Sequence, residues 1–223
     1  MRALVSYTVA RCSRAQVWVA PWLAFVVGAS LFDASSGRAP DALAINSVVL
    51  VFVASWLTLT TLASQAAEQC AVLAAAAGGA RRERLGSLLA AAVGSATLLP
   101  VSFALAWFAS RDPVHPASPA HGITVTLAAS AVLGHVVACV CGTVVAGAVS
   151  RPLVASRTVS LLVLLLVAVL LVVVPFAPVS VAVDRTGHPT TGGVAVLAGV
   201  VCAVVAGGGA LAWWTAGLAA RRR

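Results

Sequence analysis

Polar positions in this chain fall into short bands, and long apolar runs fill the space between them. A bilayer core of about 30 Å is crossed by roughly 20 apolar residues in a helix. Six runs approach or exceed that length, near 16–32, 42–64, 87–109, 122–149, 158–181 and 192–216. The first is the shortest, and the fourth is long enough to tilt or to project beyond the bilayer. The bands between them carry turn-forming residues: Asp33 to Asp41 with Gly37 and Pro40, Arg111 to Pro119 with three prolines, Arg151-Pro152, and Asp184 to Pro189. This pattern predicts an all-α membrane protein with six transmembrane helices, and no polar region is large enough to form a soluble domain. Residues 1–223 therefore read as a single transmembrane domain.

Composition agrees with the pattern. Hydrophobic residues make up 61% of the chain and charged residues 9%, against about 25% charged in a soluble domain. Every one of the 14 basic residues is Arg. Without Lys the phosphate-binding motif GxxxxGK[ST] cannot be built, so ATP-driven work of that design needs another chain. The distribution of Arg predicts orientation. Arg2, Arg11, Arg14, Arg81, Arg82, Arg84, Arg151, Arg157 and Arg221 to Arg223 lie on one set of connections, while Arg38, Arg111 and Arg185 share the other set with the four aspartates. The positive-inside rule then places both termini and the loop between spans two and three in the cytoplasm. A competing reading takes residues 1 to about 35 as a cleaved leader. The long basic region and Asp33 speak against it, and cleavage would leave five spans.

The five cysteines suggest no disulfide framework, because none lies in a polar outer loop. Cys139 and Cys141 are two apart, which on a helix turns them about 200° from each other and disfavours a shared metal. No Asp, Glu or Arg lies well inside any predicted span, which argues against a carrier coupled through an intramembrane carboxylate. His135 is the one histidine deep in a span. A neutral imidazole bonded to a neighbouring helix is the plain reading, and a pathway role is the alternative. On the same span Ser130, Gly134, Ala138, Gly142, Ala146 and Ser150 recur every four residues, a stripe that lets another helix approach closely. The second span carries Asn46, Ser47, Ser55, Trp56, Thr58, Thr60 and Thr61. Their hydroxyls either bond within their own helix or form one wall of a polar-tolerant path.

Between the second and third spans runs AAEQCAVLAAAAGGARRERLG (66–86). Glu68 suits a helix N-terminus, alanines continue the helix, and Gly78-Gly79 end it. A short cytoplasmic helix over 66–77 with a glycine hinge is expected. Arg81, Arg82 and Arg84 would then lie at the membrane surface, where they anchor the connector to anionic lipid or frame a docking helix for a soluble partner. Connections in helix bundles need about two to eight residues, and the excess length here favours docking.

The segment EQCAVLAAAAGGARRERLGSLLAA, the later GTVVAGAVSRPLV (142–154) and the Arg-bearing segment before a short first span together resemble the small permease subunits of ABC-2 type transporters of high-GC actinobacteria. The resemblance implies a half-transporter in the cell membrane in which residues 1–15 form a surface elbow helix. Ala66–Ala77 would be the coupling helix received by a separate ATP-binding cassette ATPase, and that partner would bind the ATP. It implies docking through Glu68, Gln69, Val72, Leu73, Arg81, Arg82 and Arg84, and a second permease copy or a sister permease enclosing the path. No cofactor or nucleic acid is implied for the chain itself. Asn46, Ser55, Trp56, Thr58 and His135 remain candidates for the path or for helix packing. Larger re-entrant helices precede the last span in better-known relatives of this type, and here only 175–193 is available for such a feature. Scattered hydroxyls in apolar spans suit a hydrophobic or amphipathic cargo, and export follows from the resemblance alone. A non-transporting scaffold and an intramembrane enzyme centred on His135 are the other readings.

Overall fold

In the computed structural model, residues 1–36, 38–109, 124–150 and 156–221 are described, and among them every regular element is a helix. In chain order these are α1 (Arg2–Arg14), α2 (Val19–Ser36), α3 (Ala39–Ala63), α4 (Ala67–Ala77), α5 (Ala80–Ala96), α6 (Leu98–Ala109), α7 (Val125–Val149), α8 (Arg157–Val173), α9 (Pro178–Gly187) and α10 (Thr191–Arg221). Four segments are long and apolar enough to cross a membrane: Ala39–Ala63, Ala80–Phe108, Val125–Val149 and Thr191–Leu218. Two further crossings are available if α1 with α2, bent by 77°, and α8 with α9, bent by 46°, each count as one span. Among the described residues the protein is thus all-helical, with four to six candidate membrane-spanning helices. Arg151 and Pro152 lie outside the described residues, as do Arg111 and the three prolines that follow it.

Local chemistry explains the breaks. Pro100 has no N–H to offer the carbonyl of Ala96, and α5 ends there while α6 continues in nearly the same direction. Thr124 caps α7 by accepting from the Leu127 N–H at 3.2 Å. The predicted fifth span, 158–181, is not one helix. It stops at Val173, and a second helix begins with Pro178 in its first turn, where a missing N–H costs nothing. Ser180 fastens the corner by donating to the Val174 carbonyl at 2.8 Å. The 175–193 stretch therefore contains a ten-residue helix packed between α3 and α7.

α3 and α7 form the centre of the molecule and press together at glycine. A Cβ on Gly142 would lie 2.7 Å from the Val51 carbonyl oxygen and 3.1 Å from the Ser55 nitrogen. The main apolar core gathers Leu50, Val51, Val137 and Ala138 from these two helices with Phe25, Leu98, Val179 and Leu197 from α2, α6, α9 and α10.

Candidate functional site

Two polar regions stand out, one on the surface around α4 and one inside around His135. The surface region begins with α4, whose C-terminus is closed by Gly78 in the left-handed conformation (φ 75°). Its successor Gly79 donates back to the Ala74 carbonyl at 2.7 Å and has φ 137°, so both glycines take backbone shapes that other residues resist. Glu68 and Gln69 are exposed in the first turn, and Val72 on the next turn is 69% exposed. Val72 is thus uncovered by the rest of the molecule, as are apolar side chains on the outward faces of other helices, such as Leu31 and Phe108.

α1 braces this helix from one side. The Arg11 guanidinium donates to the carbonyl and the hydroxyl of Ser64, both at 3.2 Å, and to Gln69 Oε1 at 3.4 Å. Between α1 and α4 lies a groove of about 490 Å³ lined by Met1, Leu4, Tyr7, Leu73 and Ala76 with Arg82 at its edge. The three arginines that begin α5 part company. Arg82 is exposed, Arg81 stacks 4.2 Å over the Trp213 ring of α10, and Arg84 is buried. Arg84 donates to the Gly147 carbonyl at 3.1 Å and to the Ser150 hydroxyl, so it does not share the surface place expected for all three.

The inner region joins five helices. His135 Nδ1 lies 2.7 Å from the Ala131 carbonyl, which can only accept, so this nitrogen carries the proton. Nε2 then accepts from the Ser102 hydroxyl at 2.8 Å. Ser47 Oγ stands 3.3 Å from Nδ1 and itself donates to Leu43. Asn46 donates to Asp33 Oδ2 at 3.2 Å and to the Ser102 carbonyl at 3.5 Å, and Thr186 of α9 reaches the Ser130 carbonyl at 3.4 Å. All of these side chains are buried.

Of the other residues singled out from sequence, Ser55 donates across to the Gly142 carbonyl at 3.1 Å, Thr58 bonds within its own helix at 2.7 Å, and Trp56 points outward. The hydroxyls of the second span thus bond both within and between helices. Sequence reasoning missed Ser102, Asp33, Glu83 and Thr186 as members of buried polar groups. Asp33 and Glu83 carried the clearest signal, since a carboxylate next to an apolar run is costly wherever it ends up.

No protein-family model matches the chain. Neither a curated protein nor a solved structure matches it either.

Proposed function

We propose that the chain is the membrane-embedded permease subunit of an ABC-type transporter, driven by a separate ATPase that docks on α4. The observation that carries this reading is the exposure of Glu68, Gln69 and Val72 on a glycine-capped helix held between two apolar membrane helices and braced by α1. Such a helix buries little apolar surface of its own, and its exposed side chains suit a protein partner. The 77° turn from α1 into α2 fits an elbow helix on the membrane surface. On this reading α1 lies on the membrane surface and α2 alone makes the first crossing, α8 with α9 makes the fifth, the protein has six spans with both termini in the cytoplasm, and it sits in the plasma membrane. A second copy or a sister permease completes an export path for a hydrophobic or amphipathic molecule. The buried bonds of Asn46, Ser55, Thr58 and His135 favour a path formed between subunits over one inside this bundle.

The test is capture of the detergent-solubilised chain from its native membrane with an ATPase assay on the eluate. The wild type brings an ATPase with it, and Glu68→Arg loses it while inserting normally. Unchanged ATPase recovery with Glu68→Arg would count against docking through this face. Intact protein eluting without ATPase would favour a scaffold.

A second reading has one specific observation behind it, the 2.8 Å contact that places the Ser102 hydroxyl on an unprotonated His135 nitrogen. That is nucleophile-to-base distance. Both groups are wholly buried, however, and the other ring nitrogen faces a backbone carbonyl. Labelling of Ser102 by a fluorophosphonate, abolished by His135→Ala, would support a hydrolase; absence of labelling leaves the pair as a bond between α6 and α7.

A further inference from the structure

We infer that α4 is tied to the end of α7 by polar side chains that meet on one stretch of α5, so that a load placed on α4 is delivered to α7. The inference rests on the docking reading only for what supplies the load.

The relay consists of two sets of bonds joined by the backbone of α5. Cys70 of α4 donates to Gln65 Oε1 at 3.3 Å, and Gln65 donates through Nε2 to the Ser87 hydroxyl of α5 at 2.8 Å. Ser87 donates to Glu83 Oε1 at 3.2 Å, one turn back on the same helix. The next residue is Arg84, which holds the Gly147 carbonyl at 3.1 Å and the Ser150 hydroxyl at the end of α7. Ser150 completes the group by donating to Gly147 at 2.8 Å. A guanidinium on the last carbonyls of a helix is favourably placed against their partial negative charge.

Geometry gives the relay its direction. Ser87 and Arg84 are three residues apart and so neighbours on the surface of α5. Ser87 holds Gln65 at the junction of α3 with α4, and Arg84 holds the end of α7. Turning this stretch of α5 therefore moves both attachments together. The two helices also touch here, since a Cβ on Gly147 would lie 2.9 Å from a methyl carbon of Leu88 on α5. Stability alone is a weak reason for such groups, since well-packed apolar side chains replace buried ion clusters at little or no cost. What directional bonds add is a fixed register between helices. The relay joins residues 65–87 to residues 147–150.

Hydrogen exchange on the full chain in lipid nanodiscs tests it, read at the amides of residues 144–150. Gln65→Ala, which removes a side chain with no bond to α7, is expected to speed exchange there about threefold or more. Ser87→Ala should do the same, while Ser87→Thr, which keeps the hydroxyl, restores the wild-type rate. Combining Gln65→Ala with Ser150→Ala should add little to the faster single variant, because members of one network are not additive. If Ser87→Ala does not assemble, Gln65→Ala at its partly exposed position still carries the test. An α7 end unaltered by Gln65→Ala, or rates that multiply in the double variant, would overturn the relay. The docking reading is scored separately by ATPase capture: a chain that captures no ATPase but shows the exchange pattern keeps the relay and loses the partner, and the converse keeps the partner and loses the relay.

Discussion

α7 and α10 are near equals by hydropathy, at 2.1 and 2.4, yet 61% of the apolar window of α7 is buried inside the molecule against 6% for α10. Both carry several glycines. On α7, Gly134 lies beneath Thr186 and Ser47, and Gly142 lies against the backbone of α3. On α10, a Cβ at Gly199, Gly207 or Gly209 would meet nothing within 4 Å, and Gly208 alone of that trio's neighbours turns toward Val140 and Val144 of α7. Lipid tails are as apolar as leucine, so hydropathy makes both helices candidate spans without deciding which one is packed. Close approach decides it, where small residues coincide with bonds that cross between helices. α7 has such bonds at Ser55 to Gly142 and at His135 to Ser102.

The same substitution in both helices gives the sharpest contrast. Gly142→Ala must push backbone apart and should destabilise the protein by about 3 kcal/mol, read from unfolding in mild detergent. His135→Ala comes next at about 2 kcal/mol, because it leaves the Ser102 hydroxyl buried without its acceptor. Ser55→Ala should cost only about 0.6 kcal/mol, the usual worth of a bond between membrane helices. Gly207→Ala is the smallest and opposite in sign, a gain of about 0.5 kcal/mol from helix propensity with no clash to offset it. Equal losses for Gly142→Ala and Gly207→Ala in the isolated chain would break the comparison.

Much of the helical plan was legible because apolar runs and turn residues are written locally. The 66–77 helix appears as Ala67–Ala77, since alanine continues a helix and a glycine pair ends it. The stripe on α7 was legible for its spacing, and α3 is the helix that receives it at Gly142. The corner at Val174–Ala177 escaped because the run stays apolar across it, although Pro175 and Pro178 marked the place. Arg84 could not be told from Arg81 and Arg82 by composition. What separates them is Ser150, whose nearness is a property of the folded chain. The His135 cluster was half visible in the same way, since the histidine was plain and its partner Ser102 lies on a different helix.

Under the proposed function the exposed face of α4 receives an ATPase. A photoreactive residue placed at Val72, with a matched one at exposed Val205 on α10, tests it most directly after irradiation in native membranes. Position 72 is expected to cross-link to a protein carrying a GxxxxGK[ST] phosphate-binding loop, and position 205 is not. No such cross-link at 72, or equal cross-linking at both positions, would contradict it.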